Sequence, residues 1–276
     1  MPAAFDLKLA SGSLRAHRFG AETDRLALCI HGLSANSRSF DAIAESLASP
    51  RSSVVSLDLR GRGWSDITPP GSYGWANHAK DVIAAADALG APTFDYIGHS
   101  MGAFIGLELA RRAPERLRKL VLIDAIGVPE AAALITIAAS VQRLGTRYAD
   151  ADAYVAAVRR LGHIESWDDR WETFYRYDLV TDAGGGVTPR TARVAVFEDA
   201  AYGSAQRPDS YWSAITMDTL LVRAARPLGA GFIVSAHDRD RFLASVPRSS
   251  AVDIDANHYG IMTHRATPES ILAFLS

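Results

Sequence analysis

Cysteine is nearly absent from the sequence, which holds a single one, Cys29, among its 276 residues. A lone cysteine excludes any disulfide within the chain, and nothing in the composition favours an oxidising compartment. Cys29 stands in the apolar run 26–30 (LALCI). We therefore expect a small buried side chain at this position rather than a reactive thiol.

An excess of charge of either sign is also missing. The chain has 29 lysines and arginines against 31 aspartates and glutamates, a formal net charge of -2. This balance gives no electrostatic reason to expect binding to nucleic acid or to an anionic membrane surface. We expect a small molecule as the binding partner, and a homodimer is compatible with the sequence.

The sequence lacks a hydrophobic run long enough to cross a bilayer. Its most apolar stretch, Ala131 to Ala139, is roughly half the ~20 residues that a membrane-spanning helix needs. We interpret this stretch as a buried helix. The segment Met1 to Lys8 lacks the charged and apolar regions of a secretory signal, which favours a cytoplasmic enzyme.

Strand and helix patterns alternate through much of the chain. Helical patterns occupy 76–89 and 101–112. The β-like runs lie at 5–10, 14–19, 26–31, 54–59, 93–97, 119–123, 219–222 and 250–254. This alternation predicts an α/β fold with a mostly parallel sheet that helices cover on both faces.

The pattern changes in residues 127–215, where helices are predicted without an intervening strand. The predicted helices span 131–144, 151–161, 167–179 and 191–201. We interpret this segment as a helical cap over the carboxyl edge of a core formed by residues 1–126 and 216–276.

Two groups of cap residues allow alternative interpretations. One group forms either a pocket wall or ordinary packing within the cap: Trp167, Trp171, Phe174 and Tyr175. The other binds a substrate carboxylate or forms a solvated charged face: Arg159, Arg160, Arg170 and Arg176.

A nucleophile motif follows the strand at 93–97. The sequence 98–102 (GHSMG) matches G-x-S-x-G between a strand and an apolar helix. Glycine at both ends lets the chain turn sharply and expose the serine hydroxyl, and the helix directs its amide dipoles toward a developing oxyanion. Ser100 is the predicted nucleophile. His99 is predicted to be a packing residue, because the turn directs its side chain away from that of Ser100.

A second motif, 31–33 (HGL), ends an earlier strand at the sheet edge where ligands bind in α/β proteins. We predict that the Leu33 backbone N–H is one oxyanion donor. The Met101 N–H is the predicted second donor, since the residue after the nucleophile supplies it in such sites. His31 is predicted to hold the loop rather than to take part in catalysis.

Three motifs together resemble the landmarks of α/β-hydrolases: 31–32 (HG), 58–65 (DLRGRGWS) and 98–102 (GHSMG). The resemblance covers nearly the whole chain except the cap. It implies an eight-stranded sheet, a catalytic triad in the chain order serine, acid, histidine, and no cofactor. The histidines show no spacing typical of a metal site.

That chain order places the general base after the last strand of the sheet. His258 follows the strand at 250–254 after a short polar loop, and it is the predicted base. His264 comes six residues later and fits the start of a surface helix.

Two aspartates are candidates for the acid of the triad. Asp124 ends the strand at 119–123, and 124 − 100 = 24 residues accommodate a helix and the return to a neighbouring parallel strand. Haloalkane dehalogenases and acetamidomethylene-succinate hydrolases are similar in placing the acid after the sixth strand. Asp238 is the alternative if 231–235 forms the seventh strand, although 235–238 (SAHD) also fits a helix-capping box. We favour Asp124.

These residues indicate acyl transfer to a serine. His258 would take the Ser100 proton, Ser100 would attack a carbonyl carbon, and Asp124 would orient His258. The leading interpretation is a serine hydrolase acting on a small carboxylic ester, lactone or amide. Hydrolysis of a C–C bond in a dicarbonyl compound by the same triad is the alternative among enzymes. A non-catalytic receptor for a small ligand is the alternative outside them.

Overall fold

The secondary structure begins with strands and then alternates between strands and helices. The computed structural model describes residues 2–23 and 25–276. Its elements are β1 (Ala3–Leu9), β2 (Gly12–Gly20), β3 (Leu26–Ile30), α1 (Asp41–Leu47), β4 (Ser53–Leu57), α2 (Trp75–Ala88), β5 (Phe94–His99), α3 (Met101–Arg112), β6 (Leu117–Ile123), α4 (Ala131–Val141), α5 (Ala151–Arg159), α6 (Asp169–Arg176), β7 (Leu179–Thr181), β8 (Val187–Pro189), α7 (Arg193–Ser204), β9 (Asp218–Ala224), α8 (Ala236–Ser245), β10 (Ser249–Ile254) and α9 (Ala266–Leu275).

One sheet of eight strands organises the molecule. Its strand order is β1-β2-β4-β3-β5-β6-β9-β10. Strand β2 pairs antiparallel with both β1 and β4, and the remaining pairs in this sheet are parallel. The predicted α/β fold with an eight-stranded, mostly parallel sheet is confirmed.

Helices cover both faces of this sheet. Helices α2 and α3 pack on one face through side chains such as Val82 and Leu107. Helices α1 and α9 pack on the other face through Ile43 and Ile271. Helix α1 was not predicted, whereas α9 begins two residues after His264, where the sequence suggested a helix start. Strands β3, β4 and β5 are buried along their whole length, and this explains their continuous apolar sequences. Cys29 lies in β3, where burial raises the pKa of its thiol.

Residues 124–217 connect β6 to β9 and contain helices α4 to α7. The prediction that no strand interrupts this segment is wrong, since β7 and β8 pair as an antiparallel hairpin. Helix α6 ends at Arg176, so Leu179 begins a strand rather than ending a helix. The Asp182 carboxylate accepts hydrogen bonds from the Gly184 and Gly186 amides and so stabilises the turn of the hairpin. The division of the chain into core and cap remains a prediction.

Helix α4 is the second departure from the sequence analysis. Leu134 is 44% exposed and Ile135 is 72% exposed, so the prediction of a buried helix at 131–139 is wrong. Leu134 and Ile137 line an open cavity beside the helix, Ala133 is buried in the core, and Ile135 is exposed outside that cavity. Across the described parts of the chain, no helix has the length and apolar character that a bilayer span requires.

Candidate active site

Ser100 occupies the turn between β5 and α3. Its backbone angles are φ 55° and ψ −121°, a conformation that side-chain-bearing residues rarely adopt. Among the described residues, Ser100 and Asp124 are the two non-glycine residues with positive φ. Backbone strain of this kind persists where the surrounding structure imposes it, and it concentrates at functional sites.

The two motif glycines are required by close packing of the backbone. A Cβ atom on Gly98 would lie 2.3 Å from the carbonyl oxygen of Gly102. A Cβ atom on Gly102 would lie 2.0 Å from the carbonyl oxygen of Ile30, at the end of β3. The turn can therefore approach β3 this closely only with glycine at both positions.

His258 is joined to Asp124 by a buried hydrogen bond. The His258 ring nitrogen Nδ1 lies 2.8 Å from Asp124 Oδ2, and both side chains are at most 3% exposed. The other oxygen, Asp124 Oδ1, accepts a hydrogen bond from the Ala224 amide at 3.0 Å. Because a carboxylate accepts, Nδ1 carries the proton, which leaves Nε2 as the ring nitrogen available to take another one.

Ser100 and His258 line the same cavity, but no hydrogen bond joins them. Within residues 2–23 and 25–276, neither Ser100 Oγ nor His258 Nε2 has a hydrogen-bond partner. Hydrogen bonds between catalytic groups are often long in an enzyme without substrate. The structure thus brings together Ser100, Asp124 and His258, while their catalytic roles remain predictions.

Asp238, the alternative acid, lies elsewhere. Residues 231–235 form no strand, and the segment leads into α8. Ser235 caps α8 by accepting a hydrogen bond from the Asp238 amide, and Asp238 Oδ2 accepts one from Ser235 Oγ at 2.8 Å. Asp238 therefore lies in the first turn of α8 and bonds to the capping residue, as the sequence suggested, but through the Ser235 hydroxyl rather than the Ser235 backbone N–H.

Two further histidines stabilise the loops around this site. His31 Nδ1 lies 2.8 Å from the Gly32 carbonyl oxygen and donates to it, while Nε2 accepts from the Leu59 amide. His99 Nε2 donates to the His258 carbonyl oxygen at 3.0 Å, and its ring packs against that of His258. Burial lowers the pKa of His31 to about 3 and that of His99 well below its usual value. Both side chains are therefore neutral at physiological pH.

The two predicted oxyanion donors lie close to Ser100. Leu33 and Met101 both contribute to cavities that Ser100 also lines. In the part of the chain that the structure describes, neither backbone N–H donates a hydrogen bond. A Cβ atom on Gly32 would lie 3.0 Å from Ser100 Cβ, so glycine at that position allows the loop after β3 to approach the serine closely.

On the His258 side of Ser100 lies a small cavity of about 50 Å³, which we call the polar cavity. The loop after β3, helix α4, helix α6 and the His258 loop contribute its walls, which include Ser34, Ser140, Arg143, Trp171, Phe174, Tyr175, His258 and Tyr259. Trp171, Phe174 and Tyr175 thus form part of a pocket wall and also pack against one another. Trp167 stacks on Tyr175 behind them and does not reach this cavity.

Arg143 supplies the cationic group of the polar cavity, and the sequence analysis missed it. It donates to the Ser140 carbonyl oxygen, the Ser34 carbonyl oxygen and Tyr154 Oη. None of the described carboxylates pairs with it. Trp171 also lines this cavity, and its indole Nε1 is buried without a hydrogen-bond partner among the described residues. No sequence pattern separates Arg143 from arginines on solvated helix faces.

The four arginines that the sequence offered as carboxylate ligands lie away from Ser100. Arg170 contacts Glu45, and Arg176 pairs with Asp152 and Glu172. Arg159 and Arg160 border a shallow depression on α5 with Arg176. None of the four lines a cavity that reaches Ser100.

A larger cavity of about 370 Å³, which we call the apolar chamber, also reaches Ser100 but does not include His258 in its wall. Its wall is mainly hydrophobic and includes Leu33, Trp75, Met101, Phe104, Leu134, Val141, Val196 and Phe197. Its volume falls within the range of about 300–1,000 Å³ that is typical of small-molecule sites. Ser100 and Leu33 line both this chamber and the polar cavity.

Comparison with known sequences identifies hydrolases as relatives. The chain is 38% identical to 2-hydroxymuconate semialdehyde hydrolase of Pseudomonas putida over 103 residues, 37% of this chain and 37% of the relative. It is 34% identical to N-formylmaleamate deformylase of Pseudomonas putida over 118 residues, 42% of this chain and 43% of the relative. The matches therefore span less than half the length of each relative.

Comparison with solved structures shows the fold at full length. The chain superposes on E-2-(acetamidomethylene)succinate hydrolase with a TM-score of 0.88 and 23% identity, covering 100% of this chain and 99% of the other. The model of the alpha/beta hydrolase fold family matches residues 28–218. Because that match includes well over half of the sequence, the chain belongs to the α/β-hydrolase fold family.

Proposed function

We propose that the protein is a serine hydrolase that cleaves a small carboxylic ester, lactone or amide through an acyl-serine intermediate. One observation carries the proposal: Ser100, held in a strained turn, lines the same cavity as His258, whose Nδ1 lies 2.8 Å from Asp124. A nucleophile, a base and a group that orients the base are the parts that acyl transfer requires.

The proposed reaction has two halves. His258 Nε2 removes the Ser100 proton as Oγ attacks the substrate carbonyl, and the Leu33 and Met101 amides stabilise the oxyanion. The proton then passes to the leaving group, whose bond to the acyl carbon breaks. Water, activated by His258, attacks the acyl-serine and releases the acid. Asp124 stabilises the imidazolium that forms in each half.

The rate of hydrolysis of short-chain esters such as ethyl acetate and 4-nitrophenyl acetate tests this proposal. Replacement S100A is expected to lower kcat by roughly 10⁴-fold or more, because the triad acts as a unit. Replacement S46A, at an exposed serine on α1, is the matched control and should keep the wild-type rate. Equal rates in S100A and the wild type would overturn the proposal.

A second candidate is hydrolysis of a C–C bond in a dicarbonyl compound. Two observations favour it: the sequence match to 2-hydroxymuconate semialdehyde hydrolase and the unpaired Arg143 on the polar cavity. The same triad would act on a ketone carbonyl there, and Arg143 would bind a carboxylate. Incubation with 2-hydroxymuconate semialdehyde discriminates the two. If the protein turns over that compound and hydrolyses none of the esters, C–C bond hydrolysis replaces ester hydrolysis as the proposed function.

A further inference from the structure

The two cavities that meet at Ser100 differ in size and in their relation to His258. The polar cavity has His258 and the cationic Arg143 in its wall, beside aromatic and aliphatic side chains. The apolar chamber is about seven times larger in volume, 370 Å³ against 50 Å³, and His258 is not part of its wall. A substrate bound across Ser100 therefore meets two different environments.

The position of His258 decides which part of the substrate lies in each cavity. In acyl transfer the general base gives its proton to the leaving group, and later it activates the water that replaces that group. Both must approach the carbonyl from the side of His258, which is the side of the polar cavity. The acyl group must then extend in the opposite direction, past Met101 and into the apolar chamber.

The wall of the apolar chamber indicates what the acyl group is. Phe104 stacks on Trp75 with ring centroids 4.7 Å apart, and both rings line the chamber. Val141 of α4 packs against Val196 of α7 to form a further part of the wall. Two charged side chains lie on this otherwise mainly hydrophobic wall: Asp199, which is fully buried and paired with Arg62, and Arg207, which is exposed to solvent. Such a wall gains free energy chiefly by removing hydrocarbon from water.

The outer part of the chamber is open to solvent. Leu134 on α4 and Phe197 on α7 line it and are 44% and 46% exposed. An acyl chain longer than the chamber can therefore extend outward between these two helices. This arrangement also explains why an apolar helix such as α4 lies at the surface.

Building on the proposed function, we infer that the substrate joins an apolar acyl group of medium length, which lies in the apolar chamber, to a small leaving group on the His258 side. The protein therefore prefers esters with a longer acyl chain, and it prefers the isomer that carries the longer chain on the acyl side rather than on the alcohol side. The 50 Å³ of the polar cavity accommodates a leaving group of only a few atoms, or the hydrolytic water.

Two pairs of esters test this inference. Ethyl hexanoate and ethyl acetate share a leaving group and differ in acyl length. Ethyl hexanoate and hexyl acetate are isomers that differ only in the direction of the ester bond. We expect kcat/KM for ethyl hexanoate to exceed both others by at least about tenfold, since each desolvated methylene adds a several-fold gain.

A chamber-filling variant links that preference to the structure. Ala138 is exposed and lines the apolar chamber, so A138F places a ring inside it. The ratio of kcat/KM for ethyl hexanoate over ethyl acetate should fall at least about tenfold. The matched control is A139F, since Ala139 is equally exposed and lines neither cavity. Its ratio should remain within about twofold of that of the wild type.

The outcomes separate the two proposals. Ester hydrolysis that depends on Ser100 but is equal for ethyl acetate and ethyl hexanoate, or faster for hexyl acetate, overturns this inference and leaves the proposed function intact. An unchanged ratio in A138F also overturns it. Absence of Ser100-dependent hydrolysis for every ester overturns the proposed function, and the inference falls with it.

Discussion

Asp124 connects the ends of two strands to His258, the proposed general base. It follows β6, its Oδ1 accepts from the Ala224 amide at the end of β9, and its Oδ2 accepts from His258. These bonds hold the His258 ring in one orientation and one tautomer. The role of this carboxylate depends on its charge, since an amide of the same shape could donate to Nδ1 and reverse the tautomer.

We therefore expect D124N to lower kcat for ester hydrolysis by about 10⁴-fold, as loss of the correct tautomer does in such triads. D238N is the matched control, because Asp238 caps α8 and lines neither cavity at Ser100. It should keep kcat within about twofold and lower the free energy of unfolding by no more than about 1 kcal/mol. A larger loss of kcat in D238N than in D124N would indicate that Asp238, and not Asp124, is the acid of the triad.

Arg143 is the cationic side chain on the polar cavity. If it binds a carboxylate on the leaving group, the wild type should prefer O-acetylglycolate over ethyl acetate, and R143L should reduce that preference in kcat/KM by at least about tenfold. R159L removes the same charge at an exposed site and should leave the preference unchanged. An equal preference in R143L and the wild type would exclude carboxylate binding by Arg143.

The turn between β5 and α3 packs so closely against the end of β3 that it leaves no room for a side chain at Gly102. Gly102 lies in the first turn of α3, where alanine would normally favour the helix by about 1 kcal/mol. Its Cβ atom would, however, overlap the Ile30 carbonyl oxygen at 2.0 Å. The cost of that overlap outweighs helix propensity and displaces the loop that carries Leu33.

The expected result for G102A is a free energy of unfolding lower by about 1–3 kcal/mol, together with a loss of ester hydrolysis. Denaturant unfolding and initial rates measure the two effects. G90A is the comparison, because Gly90 has a positive φ of 71° but no atom within 4 Å of an added Cβ. It should lose stability through backbone strain alone and keep its activity. Full activity and stability in G102A would contradict the packing described here.

The elements also show what the sequence could and could not predict. The strand-turn-helix around Ser100 was predictable, because glycine spacing and hydrophobic periodicity are local properties of the chain. The exposure of Ile135 was not predictable, since an apolar helix at the surface has the same composition as one inside the core. Leu179 was assigned to a helix for a similar reason: a three-residue strand leaves no clear period in the sequence.

At the scale of the whole molecule, a buried ion cluster attaches the segment between β6 and β9 to the sheet. Asp199 on α7 accepts from Arg62 at 2.6 Å and from His78 on α2 at 2.9 Å. Burial opposes the charge on Asp199, but His78 and Arg62 outweigh it and lower the pKa of Asp199 to about 2. Arg62 also donates to the Leu33 carbonyl oxygen, so the cluster extends to the loop beside Ser100.

Replacement D199N leaves the buried Arg62 without a counter-charge, and we expect the free energy of unfolding to fall by about 3–5 kcal/mol. In the wild type, the contribution of Asp199 is present above pH 3.8 and is lost as the pH falls toward 2, because its pKa is lower in the folded state. D87N, at an exposed aspartate that pairs with Arg116, is the control and should change stability little. Similar losses in the two variants would show that the cluster does not hold the segment.

The three groups at the candidate site were predictable at this scale because strand order brings their positions to one edge of the sheet. Ser100 follows β5, Asp124 follows β6, and His258 follows β10. The cavities were not predictable. Their walls depend on how α4, α6 and α7 pack over that edge, and this packing places Arg143 rather than Arg159 beside the serine.

We propose that Ser100 is a nucleophile activated by His258. Treatment with diisopropyl fluorophosphate, followed by peptide mass spectrometry, tests this role, since the reagent forms a stable ester with an activated serine. We expect one diisopropyl phosphoryl group on Ser100 with loss of ester hydrolysis in parallel, slow labelling in H258A, and no labelling in S100A. Inhibition with Ser100 unmodified, or labelling of another residue in its place, would contradict it.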